Sequence, residues 1–459
     1  MRSSSAVIRW FAALCVAMLL ASACCCVAAQ DAFADVRKAD LVVGESVESR
    51  GLSMAQCPNV FAEYAYVVDQ GGHVYFDRNG TAPTKIASIT KIMTALVTLE
   101  NSDLADTLTV SERAASVGES SASLQAGDVL NVETALKALL LSSGNDAAIA
   151  LAEHVGAKLG GTDAQSSYDA FVAAMNDRAA KLYCTDTLFT NPHGLDDGEW
   201  VGDQHSTAAD VAAMATKVMQ NETFRKIVAA EEETITVKRD GKDEGIELTS
   251  TDELLGTYEG ACGIKTGFTD LAGACFAGAC NRNGRDLYAI VLDSEDNYTR
   301  FSDTQELFDW VYNHEIVFPL SYSTETVSMT VKGQTSQVPV IAKIPHKGWI
   351  DKTVNVTFAD PNASVTIFDV EGNVSPEIEY KDLTEDVRTG DKVGTATFKQ
   401  RNQVVATQDL IACENVNAPN LFEGIAIWWQ RFIGGFSGKQ EYASEVIVNQ
   451  MPLLVNKGA

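Results

Sequence analysis

Between residues 85 and 100 the apolar positions Ile89, Ile92, Met93, Leu96 and Leu99 recur at helix spacing. Upstream, Tyr64-Ala65-Tyr66-Val67-Val68 and His73-Val74-Tyr75-Phe76 flank Gln70-Gly71-Gly72, which predicts a hairpin over 61–77. Downstream, Leu136, Leu139 and Leu140 predict a helix at about 131–141, stopped by Ser142-Ser143-Gly144-Asn145. The next helix opens with Asp146 as its N-cap and carries Ile149, Leu151 and Val155. Ser143-Gly144-Asn145 therefore falls in a tight turn between helices, which can hold polar side chains toward a cleft. Two more helices follow near 167–182 and 207–219, with the polar loop Thr190 to Asp197 between them. Residues 231–249 are charged and predict a surface hairpin around Asp240-Gly241.

After residue 260 the period changes to that of strands. Gly263 to Thr269 leads to Ala274-Cys275-Phe276-Ala277, and Asn283-Gly284, a strong hairpin turn, leads to Asp286 to Leu292. A helix from about Asp303 to His314 carries Leu307, Phe308 and Val311. Strands at both ends with helices between them predict an α/β (α+β) domain whose sheet is closed by its N- and C-terminal parts. From Ser321 short alternating strands (Val327–Val331, Val354–Phe358, Ser364–Phe368, Thr395–Phe398) predict a small all-β module ending near Asn417. The last segment crowds Leu421, Phe422, Ile425, Ile427, Trp428, Trp429, Phe432, Ile433 and Phe436 with few charges. It is short for a membrane span and suits an amphipathic helix lying in a membrane interface; the alternative is packing on the protein itself or on a partner.

Composition narrows the picture. The 459 residues are too many for one ordinary domain, and 46% hydrophobic residues suffice for real cores. A net charge of -27, from 62 acidic against 35 basic residues, argues against nucleic acid as a partner. Arg2 and Arg9 precede an uncharged run from Trp10 to Ala29 that ends in small residues, which reads as a secretory signal cleaved after about Ala29. The run is also long enough to stay as an anchor. Cys24, Cys25 and Cys26 raise lipidation, but Ala21 stands where that reaction usually wants leucine. Six cysteines remain: Cys57, Cys184, Cys262, Cys275, Cys280 and Cys413. An even number in an oxidising compartment makes disulfides an expectation. None has C-x-x-C spacing and the histidines do not cluster, so no metal and no cofactor is expected.

The candidate chemistry begins at Ser88 and Lys91, three apart on one helix face with Ser88 in the first turn. Burial would lower the lysine pKa and let its amine take the serine proton. S-x-x-K alone is a common chance pattern. It gains weight from Ser143-Gly144-Asn145 and Lys265-Thr266-Gly267 in the same chain. His193 and His205 suggest a Ser-His pair instead, but the lysine already supplies a base.

With these motifs the sequence resembles the penicillin-recognising serine acyl-transferases, and more closely the low-molecular-weight D-alanyl-D-alanine carboxypeptidases of peptidase family S11. Further likenesses are Ala87 to Thr94, Ser143 to Ala148, Asn191 to Asp197 with Ser206-Thr207-Ala208, and Gly263 to Thr269. The family usually has proline at Ile86 and often asparagine at Asp252. The resemblance implies a penicillin-binding/β-lactamase-like domain (30–320 after a 1–29 signal), a β-sandwich (321–417) and a membrane-associating tail (418–459). It implies a secreted enzyme held at the outer face of the cytoplasmic membrane through the 421–436 segment. The implied substrate is a peptidoglycan stem peptide ending in D-Ala-D-Ala, with β-lactams as covalent inhibitors. Ser88 would be the nucleophile, Lys91 the base, Ser143 a proton relay, and Asn145 a ligand of Lys91 and substrate. Lys265 and Thr266 would grip the terminal carboxylate, and Gly267 would let substrate approach the strand. The backbone N–H groups of Ser88 and Phe268 would form the oxyanion hole. A β-lactamase would need a water-activating carboxylate, and no Glu-x-x-Leu-Asn-like element lies between Asn145 and Lys265. A non-catalytic wall sensor is the other alternative.

Overall fold

The predicted hairpin and the late strands meet in one sheet. Its strands are β1 (Asp40–Val42), β2 (Glu45–Ser46), β3 (Tyr64–Asp69), β4 (Val74–Arg78), β5 (Ala261–Thr269), β6 (Gly273–Arg282) and β7 (Arg285–Ser294). They are antiparallel in the order β2-β1-β4-β3-β7-β6-β5. The closing pair is β3 with β7, in register from Tyr64–Leu292 to Asp69–Leu287. β5 is the edge strand, so one side of it is left without a sheet partner. This computed structural model describes residues 39–436 and 440–454; the signal and Cys24 to Cys26 lie outside them.

Between β4 and β5 the chain folds into helices, including α1 (Lys91–Asn101), α2 (Val132–Leu140), α3 (Asn145–Lys158), α4 (Ala164–Lys181) and α5 (Ala208–Val218). α1 packs against the other four. Its sequence predicts one apolar face, yet every residue from Lys91 to Thr98 is buried. Burial on all sides is tolerable because the polar groups are satisfied. The Thr94 hydroxyl donates to Pro192 O (2.6 Å) and the Thr98 hydroxyl to Thr94 O (2.8 Å). Ile92, Met93 and Leu96 each contribute roughly 1.5–3 kcal/mol by leaving water. The charged hairpin, Glu232–Arg239 with Lys242–Thr249, extends a separate sheet with Thr107–Thr109 and Val129–Asn131.

The structure divides into two units at Trp310/Val311, inside α6 (Thr299–His314), and not at the composition change near 320. The reason is local: Glu315–Pro319 pairs with Ser364–Phe368, a strand of the second unit. Among its described residues that unit is all-β apart from the end of α6, short turns and α7 (Leu421–Gly435), with a six-stranded sheet and two-stranded sheets around Phe318, Ile344, Val356, Phe398 and Leu410. Residues 418–459 are not wholly a tail. After α7 the chain returns, pairing Val446–Ile447 with Ala342–Lys343, and Asn449 is buried with its amide on Leu320 O.

The disulfide expectation is corrected. Cys184, Cys262, Cys275 and Cys413 are free thiols, and no disulfide joins any two of the six described cysteines. Burial pushes the Cys184, Cys262, Cys275 and Cys413 thiols up to about 12.

Candidate active site

Ser88 does not sit in the first turn of α1. It lies in a tighter 3-10 turn, Ala87–Thr90, that leads into α1 at Lys91. Ala87 has φ 46, a left-handed value that costs about 1–2 kcal/mol in a residue other than glycine. Two glycines make room for this turn. A Cβ on Gly194 (φ 96) would stand 1.9 Å from Ala87 O. A Cβ on Gly267 would stand 2.9 Å from Ile86 O and 3.0 Å from Ser88 N. Gly267 thus lets β5 lie against the nucleophile turn, a role beyond the substrate approach that the sequence suggests for it.

Lys91 is fully buried, and its Nζ has three partners: Ser88 Oγ at 2.7 Å, Asn145 Oδ1 at 2.7 Å and His193 O at 2.9 Å. Burial, and then the charge of Lys265, hold its pKa well below the ordinary lysine range. A neutral amine matches these partners. Two N–H groups donate to the carbonyl oxygens of Asn145 and His193, and the lone pair is left for the Ser88 hydroxyl proton.

Each partner is fixed by its own surroundings. Asn145 is the first residue of α3, and its Nδ2 donates to Gly118 O and its backbone N–H to Ser120 O. Asp146 is not the N-cap; Gly144 is. The Asp146 carboxylate instead accepts from Ser121 Oγ and from the N–H groups of Ala122 and Leu124, which fastens the 118–124 segment beside the site. Ser143, in the turn before α3, has φ 57 and lines the same cavity as Ser88. The 190–195 loop is held by Asn191, whose Oδ1 accepts from His193 N and Gly194 N, and by Gln204, whose Oε1 accepts from Thr190 N and Asn191 N. It presents a carbonyl to Lys91, not an imidazole. The His193 ring packs edge-on to Trp200 at 4.5 Å, its Nδ1 accepts from Leu195 N, and burial keeps it neutral.

The cavity, about 370 Å³, is lined by Ser88, Ser143, Asn145, Thr251, Thr266, Gly267, Phe268 and Arg300 among others. Lys265 lies behind it, with Nζ on Thr266 O at 3.0 Å. Burial and the Arg300 charge lower its pKa to about 7. The polar groups that reach the cavity on this side are the Thr266 hydroxyl, paired with Thr251 Oγ1 at 2.5 Å, and the Arg300 guanidinium, which donates to Gly267 O at 3.1 Å. Arg300, Thr251 and the His193 carbonyl escaped the sequence reading. No spacing rule links them to the motifs, and Arg300 precedes the predicted start of its helix.

Asp252 is buried below this cluster, with Oδ1 accepting from Leu254 N and Oδ2 without a partner among the described residues. Burial pushes its carboxyl up to about 6, against the pull of the Leu254 amide, Lys265 and Arg300. The folded-state value lies above that of the unfolded chain, about 3.9. The folded protein therefore holds this proton more tightly. The resulting stability is full below about pH 4 and is lost as pH rises through about 6. Asp252→Asn is neutral at every pH and is expected to raise folding stability at pH 7.5 by up to about 2–3 kcal/mol, read as a higher Tm, and to leave it nearly unchanged at pH 4. Equal shifts at both pH values would show that ionisation is not the cause.

The chain is similar to known proteins. A family model described as D-alanyl-D-alanine carboxypeptidase matches residues 52–296. D-alanyl-D-alanine carboxypeptidase DacF of Bacillus subtilis is 28% identical over 353 residues, 75% of this chain and 83% of its own. The crystal structure of the Streptomyces K15 DD-transpeptidase superposes with TM-score 0.53 at 29% identity, covering 56% of this chain and 98% of that one. That of the carboxypeptidase DacD from Francisella tularensis gives TM-score 0.53 at 23% identity, over 79% and 95%, a likeness of fold.

Proposed function

The chain belongs to peptidase family S11, the D-alanyl-D-alanine carboxypeptidases, and from that premise we propose that Ser88, Lys91, Ser143 and Asn145 carry its hydrolysis of D-Ala-D-Ala stem peptides. The single observation behind the assignment is the buried Lys91 amine, 2.7 Å from the Ser88 hydroxyl and fixed by two carbonyl oxygens. Ser88 Oγ attacks the carbonyl carbon of the penultimate D-alanine while its proton passes to Lys91 Nζ. The oxyanion forms between the N–H groups of Ser88 and Phe268. As the C–N bond breaks, the leaving D-alanine amine takes a proton relayed through Ser143. Water, deprotonated by the same lysine, then hydrolyses the ester. Thr266, Thr251 and Arg300 grip the terminal carboxylate, with Lys265 adding positive charge from behind.

The test is intact-mass spectrometry during brief penicillin exposure, alongside D-alanine release from a peptide ending in D-Ala-D-Ala. A lasting adduct on Ser88 together with D-alanine release is expected. An adduct lost within seconds points to a β-lactamase, and an adduct without D-alanine release to a wall sensor.

The same reading places the enzyme outside the cytoplasmic membrane, with α7 resting on it. Among the described residues no helix is long and apolar enough to cross a membrane. On α7, Leu421, Phe422, Ile425, Trp428, Trp429, Phe432 and Ile433 are all exposed, and Arg431 is tied to Lys347 O and Trp349 O of its own module. Burying such a face in the interface lowers its free energy by roughly 25 cal/mol per Å² removed from water. Vesicles are expected to shift tryptophan fluorescence to the blue, and Trp428→Ser with Trp429→Ser to weaken co-flotation at least tenfold; undiminished flotation would remove α7 from that role.

A further inference from the structure

The mechanism leaves one buried charge unused. Asp252 directly follows Thr251 in the chain and lies within electrostatic reach of Lys265 and Arg300. Next to groups that receive a carboxylate, it has the wrong sign. Asp252 is 6% exposed, Lys265 1% and Arg300 7%, so water screens their charges poorly. The three are nevertheless not locked together. Asp252 Oδ1 accepts from Leu254 N, and its Oδ2 has no hydrogen-bond partner among the described residues. Arg300 Nη1 donates to Gly267 O, while its buried Nε has no partner there either. Lys265 Nζ donates to Thr266 O, one of the three bonds an ammonium can make. Both cations keep donors in reserve, and Asp252 acts on them through space. The charged groups it feels are Lys265 of β5, Arg300 of α6 and Glu253 beside it. Lys265 in turn lowers the pKa of Lys91. Asp252 itself does not line the cavity, so whatever it does to a ligand passes through its neighbours.

Resting on the carboxypeptidase reading, we propose that Asp252 is a positioning residue that competes with the terminal carboxylate of the substrate for the charges of Lys265 and Arg300, so that the grip on that carboxylate tightens when Asp252 is protonated or replaced by a neutral residue. Ionised, Asp252 cancels one positive charge of the cluster; protonated, it cancels none. Burial raises its carboxyl to about 6 and lowers the Lys265 amine to about 7. At pH 5 Asp252 is therefore mostly neutral and Lys265 charged, and the substrate meets two cations. At pH 7.5 Asp252 is ionised and Lys265 largely neutral, which leaves Arg300 opposed. Removing the carboxylate also takes away some of the support for a charged Lys265. The cluster still becomes more positive at pH 7.5, because a whole negative charge goes and only the fraction of Lys265 still protonated can follow it.

The test compares kcat/KM for D-alanine release from Nα,Nε-diacetyl-L-lysyl-D-alanyl-D-alanine between the wild-type protein and Asp252→Asn, at pH 5 and at pH 7.5. Asparagine keeps the Oδ1 acceptor for Leu254 N and loses the charge. The variant is expected to be about fivefold better at pH 7.5 and nearly equal to the wild type at pH 5. A displaced side chain would change both pH values alike. The same ratio at the two pH values, or a variant slower than the wild type at pH 7.5, would overturn the proposal and leave the carboxypeptidase standing. A second measurement needs no change at residue 252. The dissociation constant of the same peptide for Ser88→Ala, which cannot be acylated, is expected to rise about twofold between pH 5 and 6.5 as Asp252 ionises. A constant value over that range would overturn the proposal even if Asp252→Asn does not fold. No D-alanine release by the wild type at either pH would overturn the carboxypeptidase reading and the proposal with it.

Discussion

Lys91→Ala is expected to slow acylation of Ser88 by about 10³-fold, for a β-lactam and for a D-Ala-D-Ala peptide alike, with the fold intact. A positioned general base contributes typically 10²–10⁴-fold, and the serine hydroxyl at its ordinary pKa is a poor nucleophile. Among the described residues the Ser88 hydroxyl has Lys91 Nζ as its only hydrogen-bond partner, so no second base stands ready. The His193 imidazole faces Trp200 and Leu195. Burial and the Lys265 charge lower the Lys91 pKa and so favour its neutral form, the form in which it acts as a base. The cost to stability is then the cavity and the unpaired Asn145 and His193 oxygens, on the order of 2–4 kcal/mol. The measurement is the rate of adduct formation by intact mass across pH, with circular dichroism to confirm folding. A folded variant that keeps more than a tenth of the wild-type rate would remove Lys91 from the role of base.

Gly194→Ala is expected to cost about 10²-fold in acylation and several degrees in Tm, although residue 194 contributes no functional group. Its φ of 96 is strained for alanine, and the new Cβ would meet Ala87 O at 1.9 Å and Ala87 C at 2.3 Å. Those are backbone atoms of the nucleophile turn and cannot rotate away. Either the turn moves, taking Ser88 from Lys91, or the loop moves, taking the His193 carbonyl from Lys91. A displacement of about 1 Å at such a site can cost 10²-fold. Gly198→Ala is the control: its φ is 52, also left-handed, but its Cβ would meet nothing within 4 Å. It should lose some stability and little acylation. Equal acylation rates for Gly194→Ala and the wild type would show that this loop does not hold the turn.

Much of this was legible in the chain. Ser88 and Lys91 are three residues apart, and a helical turn brings such neighbours together whatever surrounds them. Ser143 and Asn145 belong to a turn between two helices whose ends the sequence marks, and the β3–β4 hairpin and the β5–β7 strands are carried by alternation and by Asn283-Gly284. These are short-range matters, decided by periodicity and turn chemistry. The sequence by itself determined the local elements, the residue types of the three motifs and the family they resemble.

Tertiary structure decided what those residues touch. His193 O reaches Lys91 across 102 positions, Arg300 reaches Gly267 across 33, and Thr251 meets Thr266 across 15. Nothing in a local pattern encodes such approaches, because they depend on how separate elements pack. The sequence suggests only substrate approach for Gly267 and no particular role for Gly194 until the nucleophile turn is seen against them. Asp146 looks like a cap because its neighbours suit one, yet the 121–124 segment offers it three donors and takes it instead. An even cysteine count says nothing of distance, and Cys184, Cys275 and Cys413 are buried as free thiols. The two-residue strand Val446–Ile447 is too short to leave a period. Sequence fixes which chemical groups are available within a turn or two of each other; only the packed chain decides which of them are brought within hydrogen-bond reach, freed of water and shifted in pKa.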